Sequence, residues 1–192
     1  MPSTTNWTRL AEEFKANSRS DAGILAWEGD RSVAEEGVLI AFALALQEQE
    51  RLFFSNAFHR GEGNDPPDCE ATGLADERIG IELTELIDPE TAAAARAGNN
   101  YQAKRWSETD IAAGLAERIA AKDAGNPKGG PYDRYVLLVY TDEPGLSVDA
   151  ARSVVSSRVY TATELLSEAY LLMSSDPSAK QHHCFQLNLR GV

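Results

Sequence analysis

Two carboxylates are best placed to do chemistry in this chain. Asp68 lies in Asn64-Asp65-Pro66-Pro67-Asp68-Cys69-Glu70, and Glu82 in Arg78-Ile79-Gly80-Ile81-Glu82-Leu83-Thr84-Glu85-Leu86. The second segment sets Ile79, Ile81 and Leu83 in alternation with Gly80, Glu82 and Thr84, the period-two pattern of a strand. Successive strand side chains point to opposite faces, so Glu82 and Thr84 share one face and the aliphatics bury the other. The first segment reads as a partner strand with Asp68 and Glu70 on one face. Gly73 and Ala75-Asp76-Glu77 supply the turn between the two. Paired as a hairpin, the strands bring Asp68 and Glu82 together near one edge of a sheet. Two carboxylates converging there make a hard-oxygen site suited to Mg²⁺ or Mn²⁺.

These residues resemble the motifs of the PD-(D/E)xK, or restriction-endonuclease-like, nuclease superfamily. Pro67-Asp68 matches its Pro-Asp element, and Ile81-Glu82-Leu83-Thr84 matches its apolar-(D/E)-x-K element. Thr84 stands where the family usually has lysine, which is similar to a bacterial branch with Thr at that place. The resemblance extends from about residue 33 to the C-terminus, and its specific residues fall between Pro67 and Thr84. It implies an α/β fold, a mixed β-sheet flanked by helices on both faces. It also implies a metal-dependent nuclease, a hydrolase of phosphodiester bonds in DNA. Asp68, Glu82 and the carbonyl of Leu83 would then hold Mg²⁺ or Mn²⁺. Glu70 would be a further ligand, or stand behind the ligands, and Glu70 and Thr84 are candidate substrate contacts. A first helix in this fold often contributes a glutamate, which brings in Glu35 or Glu36. Both also suit the start of a helix with no metal, because the helix dipole favours acids there.

The elements that must position these groups are legible from periodicity. A short helix is expected over Thr8–Asn17, then a loop at residues 18–20. Trp27 and a Gly29-Asp30 turn precede a long helix over Val33–Phe54, apolar nearly all round from Val38 to Leu46 and so buried on more than one side. Residues 57–67 read as a loop leading into the hairpin. Beyond Leu86, Thr91–Gly98 is Ala-rich and helix-compatible, with a stop at Gly98-Asn99-Asn100. Tyr101, Lys104, Arg105 and Trp106 form a basic-aromatic cluster able to stack bases and contact phosphates. They equally suit a loop anchored by its aromatic rings.

Ser107-Glu108-Thr109-Asp110 is a capping signal for a helix over Thr109–Asp123. On a wheel of 100° per residue, Ile111, Leu115 and Ile119 fall at about 0°, 40° and 80°, with Lys122 at about 20°. A lysine inside an apolar stripe either snorkels out at the helix end or meets a carboxylate. The family's catalytic lysine migrates between neighbouring elements, so the resemblance makes Lys122 the candidate replacement for the lysine absent at 84; Lys104 is a second candidate. Asp133–Thr141 reads as a buried central strand. A helix over Val148–Ser157, a short helical stretch over Thr163–Ser167, a strand at Tyr170–Met173, a turn at Asp176-Pro177-Ser178 and a strand at Cys184–Leu189 complete the order.

With 192 residues the chain suits one domain, residues 1–32 being an extension with a short helix and 33–192 the nuclease-like core. It carries a net charge of −12. The segment 61–110 holds four basic and twelve acidic residues, so the acidity centres on the candidate motif. Such a surface favours a divalent cation and weighs against a broad, nonspecific grip on DNA. Two cysteines are too few for a disulfide scaffold, and no leader or membrane-spanning run is evident, so a cytoplasmic protein is expected. His182-His183-Cys184 cannot all face one ion on a strand, and no glycine-rich phosphate loop or Gly-x-Ser-x-Gly elbow occurs. Three functions remain open: a Mg²⁺-dependent nuclease, with DNA as partner and a homodimer in keeping with the family; a nuclease-like binding or regulatory module without catalysis; and an acidic α/β protein with a chance motif match.

Overall fold

The computed structural model describes residues 6–17, 31–61, 63–97, 104–162, 164–176 and 181–190. Helices α1 (Trp7–Asn17) and α2 (Arg31–Glu48) lead into strands β1 (Phe54–His59), β2 (Cys69–Gly73) and β3 (Arg78–Glu85). Helices α3 (Pro89–Arg96) and α4 (Glu108–Asp123) follow, then β4 (Arg134–Thr141) and α5 (Val148–Ser157). The short β5 (Tyr160–Thr161), β6 (Glu168–Asp176), β7 (Gln181–Gln186) and β8 (Leu189–Arg190) complete the described order.

Six strands form a mixed sheet in the order β1-β2-β3-β4-β6-β7, and β5 pairs with β8 in a separate ribbon. The pairs β1/β2, β2/β3 and β6/β7 are antiparallel, whereas β3/β4 and β4/β6 are parallel. Each face of the sheet has its own core. On one, α1 and α2 pack against Cys69, Ile79, Ile81, Leu83, Val136, Leu138 and Leu172. On the other, α4 and α5 cover Tyr135, Leu137, Val139, Ala169 and Leu171. The chain is thus mixed α/β with helices on both faces. Strand β4 is buried from both sides, which is why its sequence is an unbroken apolar run rather than an alternation.

The long helix is shorter than its apolar pattern predicts. It stops at Glu48, because Glu50 takes a left-handed conformation (φ 56°) and the Arg51 N–H donates back to the Leu46 carbonyl at 2.8 Å. Phe54–His59 is therefore a strand rather than a helix end and loop. Phe54 is fully buried, with its ring 5.5 Å from Trp7 and 6.0 Å from Phe42. No helix forms over residues 164–167, where the Asp123 carboxylate instead accepts the N–H groups of Glu164, Leu165 and Leu166. Helix α5 spans Val148–Ser157 as its pattern predicts, and α4 starts one residue early, on a capping box between Ser107 and Asp110. The loop at 18–20, Trp27, the Gly29-Asp30 turn, the Gly98-Asn99-Asn100 stop, Tyr101, Thr163 and Pro177-Ser178 lie outside the described residues. Among the described residues, no helix is long and apolar enough to cross a membrane.

Candidate carboxylate–lysine site

The antiparallel register pairs Cys69 with Ile81, and one step further along the hairpin sets Asp68 opposite Glu82. Both carboxylates are almost fully buried, at 3% and 4% exposure. One Asp68 oxygen accepts the Leu83 N–H at 2.7 Å, which ties the strand entry to its neighbour. The loop before Asp68 is pinned from two sides. The Arg60 guanidinium donates to the carbonyls of Asn64 (2.6 Å), Pro66 (3.4 Å) and Pro67 (3.3 Å), and the Lys128 N–H donates to Pro66 (2.6 Å).

Glu82 is held through both oxygens. Lys122 Nζ donates to Oε1, and the Tyr135 hydroxyl donates to Oε2 at 3.2 Å. Lys122 leaves the last turn of α4 on the face that carries Ile111, Leu115 and Ile119, all buried, so the apolar stripe delivers the ammonium to the sheet. Tyr135 reaches Glu82 from β4, where it pairs with Gly80. A side chain at Gly80 would place its Cβ 2.9 Å from the Tyr135 ring and 3.1 Å from Pro67, so the glycine makes room for that ring. Burial and the adjacent Glu82 charge push the tyrosine's pKa up, and it stays a neutral donor.

A third acid approaches from the other layer. Glu35 on α2 is buried, and its carboxylate lies 2.5 Å from His59 Nε2. His59 Nδ1 accepts the Gly61 N–H at 3.2 Å, which leaves Nε2 to carry a proton toward Glu35. Asp68 feels all three neighbours. Burial first, then the charges of Glu82 and Glu35, raise its carboxyl, the Leu83 N–H and Lys122 pull against them, and the balance stands at about 6.

The other candidates fall elsewhere. Glu36 is exposed on α2, so of the two helix glutamates only Glu35 is buried beside the site. Glu70 lies one pair further along the hairpin face. Arg78 grips it with two hydrogen bonds of 2.9 and 2.7 Å and holds its carboxyl below the usual range. Thr84 is half-buried two residues beyond Glu82, and the ammonium that reaches Glu82 comes from α4 instead. Lys104 is at the opposite end of α4, a helix of 16 residues and so about 24 Å long. There it sits 3.6 Å from Asp88 and 3.3 Å from Asp110, with its ammonium 4.6 Å from the Trp106 ring centroid. The Trp106 indole donates to Glu143 at 3.2 Å, so this cluster anchors a loop. Arg105 is exposed in the same loop, away from the carboxylates.

Tyr135 and the Glu35–His59 pair have no local signature. The tyrosine sits in a run that reads as core, and Glu35 and His59 belong to different elements. A polar ring tip two residues along the ladder from Glu82 was the available clue. Among the described residues, no three His, Cys, Asp or Glu side chains form an arrangement that holds a metal ion. Compared with protein-family models, curated proteins and solved structures, the chain matches none.

Proposed function

We propose that the chain is a metal-dependent phosphodiesterase acting on DNA, with the restriction-endonuclease-like fold of the PD-(D/E)xK nucleases. One observation carries this reading: the ammonium that position 84 lacks is supplied by Lys122, against Glu82 and across the hairpin from Asp68. The donor set also suits a hard divalent ion. Asp68, Glu82 and the Leu83 carbonyl would offer it oxygen ligands, and the raised Asp68 carboxyl marks a crowd of buried acids that a cation would relieve. Bound there, Mg²⁺ or Mn²⁺ would polarise a phosphoryl oxygen and lower the pKa of water.

The residues of the chain have separate parts in the hydrolysis. Water attacks phosphorus and gives up a proton to solvent, the new P–O bond forms as the bond to the sugar oxygen breaks, and that oxygen takes a proton from solvent as it leaves. Lys122 orients the attacking water and offsets negative charge gathering on the phosphoryl oxygens. Tyr135 fixes the second oxygen of Glu82, so the carboxylate keeps one orientation. Glu35 stands behind Asp68, its charge partnered by His59.

A second reading, a binding or regulatory module without catalysis, draws on a specific feature. Both Glu82 oxygens are already engaged, so Lys122 serves as an internal cation in place of a metal. A Mg²⁺ and Mn²⁺ titration with plasmid and single-stranded substrates, comparing wild type with Glu82→Ala, separates the two. Metal-dependent cleavage lost in Glu82→Ala supports the nuclease. Cleavage untouched by that substitution overturns it, and DNA binding without cleavage favours the module.

A further inference from the structure

A second recess lies at the far edge of the sheet. Strand β7 is three strand steps from β3, about 14 Å at the usual interstrand spacing, so the recess is separate from the Glu82 site. It is a cleft of about 580 Å³ along the free edge of β7, between the end of α2 on one face of the sheet and α5 on the other. That volume suits a small ligand.

Its lining is chemically one-sided. The chain holds 30 acidic residues against 18 lysines and arginines, yet among the described residues no carboxylate lines the cleft. Arg51, Arg152 and His183 do, beside the amides of Gln186 and Asn188. Among the described residues neither guanidinium is paired with a carboxylate, although both are held in place. Arg51 donates to the side-chain oxygen of Gln186, and Arg152 lies 5.3 Å from the Phe185 ring centroid. The His183 and Phe185 rings are nearly parallel (12°), with centroids 6.4 Å apart along the strand. Asn188 spends its amide N–H groups on the carbonyls of Val155 and Arg158, which closes the floor.

Two positioned guanidiniums with no internal counter-ion are an oxyanion receptor, because the planar fork matches the oxygens of phosphate. Parallel rings beside them offer a flat surface to a planar group. We propose that this cleft binds a small phosphate-bearing ligand, its phosphoryl oxygens taken by Arg51 and Arg152. Inorganic phosphate and a nucleoside monophosphate share that chemistry, and affinity separates them.

The test is isothermal titration of the full chain with potassium phosphate and with adenosine monophosphate, against potassium chloride at matched ionic strength. Saturable binding of phosphate is expected, absent with chloride. Arg51→Gln and Arg152→Gln should each weaken it about tenfold, the usual effect of losing one charged hydrogen bond. Both arginines are exposed, so folded variants are expected, and circular dichroism checks this. Tighter binding of the nucleotide than of phosphate assigns a nucleotide, and equal binding assigns phosphate. No saturable binding, or binding that survives both substitutions, overturns the proposal. So does binding only to a short oligonucleotide. Glu82→Ala should leave every titration unchanged, which keeps this result independent of the nuclease reading.

Discussion

The two ends of α4 present the same partners, a lysine and carboxylates, under opposite conditions. At the N-terminal end Lys104 lies between Asp88 and Asp110 at the surface, where hydrogen bonds from Thr91 and from Ser107 hold those two carboxyls below their usual range. At the C-terminal end Lys122 meets Glu82 inside the protein, and burial with neighbouring acids drives Asp68 up to about 6. The first end is electrostatically satisfied and performs a structural task. The second gathers Asp68 and Glu82 around one ammonium largely out of water, the condition under which a site gains from binding a cation. Perturbation in the unfavourable direction distinguishes the candidate site from an ordinary helix cap.

The largest expected contrast is in turnover. If the C-terminal end is the reactive one, Glu82→Ala lowers metal-dependent plasmid cleavage at least about a hundredfold, as removal of a ligand carboxylate should. Asp110→Ala at the other end leaves it unchanged. Equal effects from both would erase the distinction.

Stability should show the same asymmetry. Asp123 accepts three backbone N–H groups from the segment leading to β6, so Asp123→Ala is expected to cost about 3 kcal/mol in urea denaturation. Ser107→Ala removes the cap at the opposite end and should cost about 1 kcal/mol. Lys122→Met leaves Glu82 buried without its ammonium. Because the lysine is partly exposed, the expected loss is about 2 kcal/mol, below that of a fully buried pair. Lys104→Met should fall within the scatter of repeated measurements, since its partners remain solvated.

The smallest effect has the most telling sign. The folded chain holds the Asp68 proton more tightly than the unfolded chain, whose value is near 3.8. Stability from the protonated form is therefore complete below that value and is lost as pH rises through about 6. Asp88 and Asp110 act in reverse: their stabilisation is present above the usual carboxylate range and lost as pH falls. Asp68→Asn keeps an acceptor for the Leu83 N–H and removes the charge. It should make the metal-free protein about 1 kcal/mol more stable at pH 7, after allowance for solvent screening, with the difference vanishing near pH 4. Added Mg²⁺ should raise the melting temperature of wild type but not of Asp68→Asn.

How much of this was legible in advance follows from the range of the interactions. The alternation of β3 and the phase of Lys122 among Ile111, Leu115 and Ile119 are local patterns, and they place an acid on one strand face and a lysine on one helix face. The grip of Arg78 on Glu70 was implicit in the hairpin register, as a diagonal pair on one face. Strand β1 was hidden because Leu52, Phe53 and Phe54 read as a last apolar turn of α2 beyond the polar residues 47–51, and the left-handed turn at Glu50 has no glycine to announce it. Glu35 and His59 were unreadable as a pair, since their meeting depends on how α2 lies across the sheet. Tyr135 was read as core, which it is, apart from its hydroxyl.

The origin of the ammonium has a consequence in time. A lysine at position 84 would enter the pocket with its own strand, as soon as the hairpin closed. Lys122 arrives from 40 residues away, on the final turn of a helix. Helix ends open more readily than central strands, so each fraying event withdraws the positive charge and leaves Asp68 and Glu82 facing one another. Amide exchange at Ile119–Asp123, set against the slow exchange expected of Val136–Leu138, would therefore count how often the pocket stands without its ammonium. The site lies inside the sheet rather than at the edge expected from the hairpin, because β1 covers β2, and its charge state is a property of helix breathing as much as of pH.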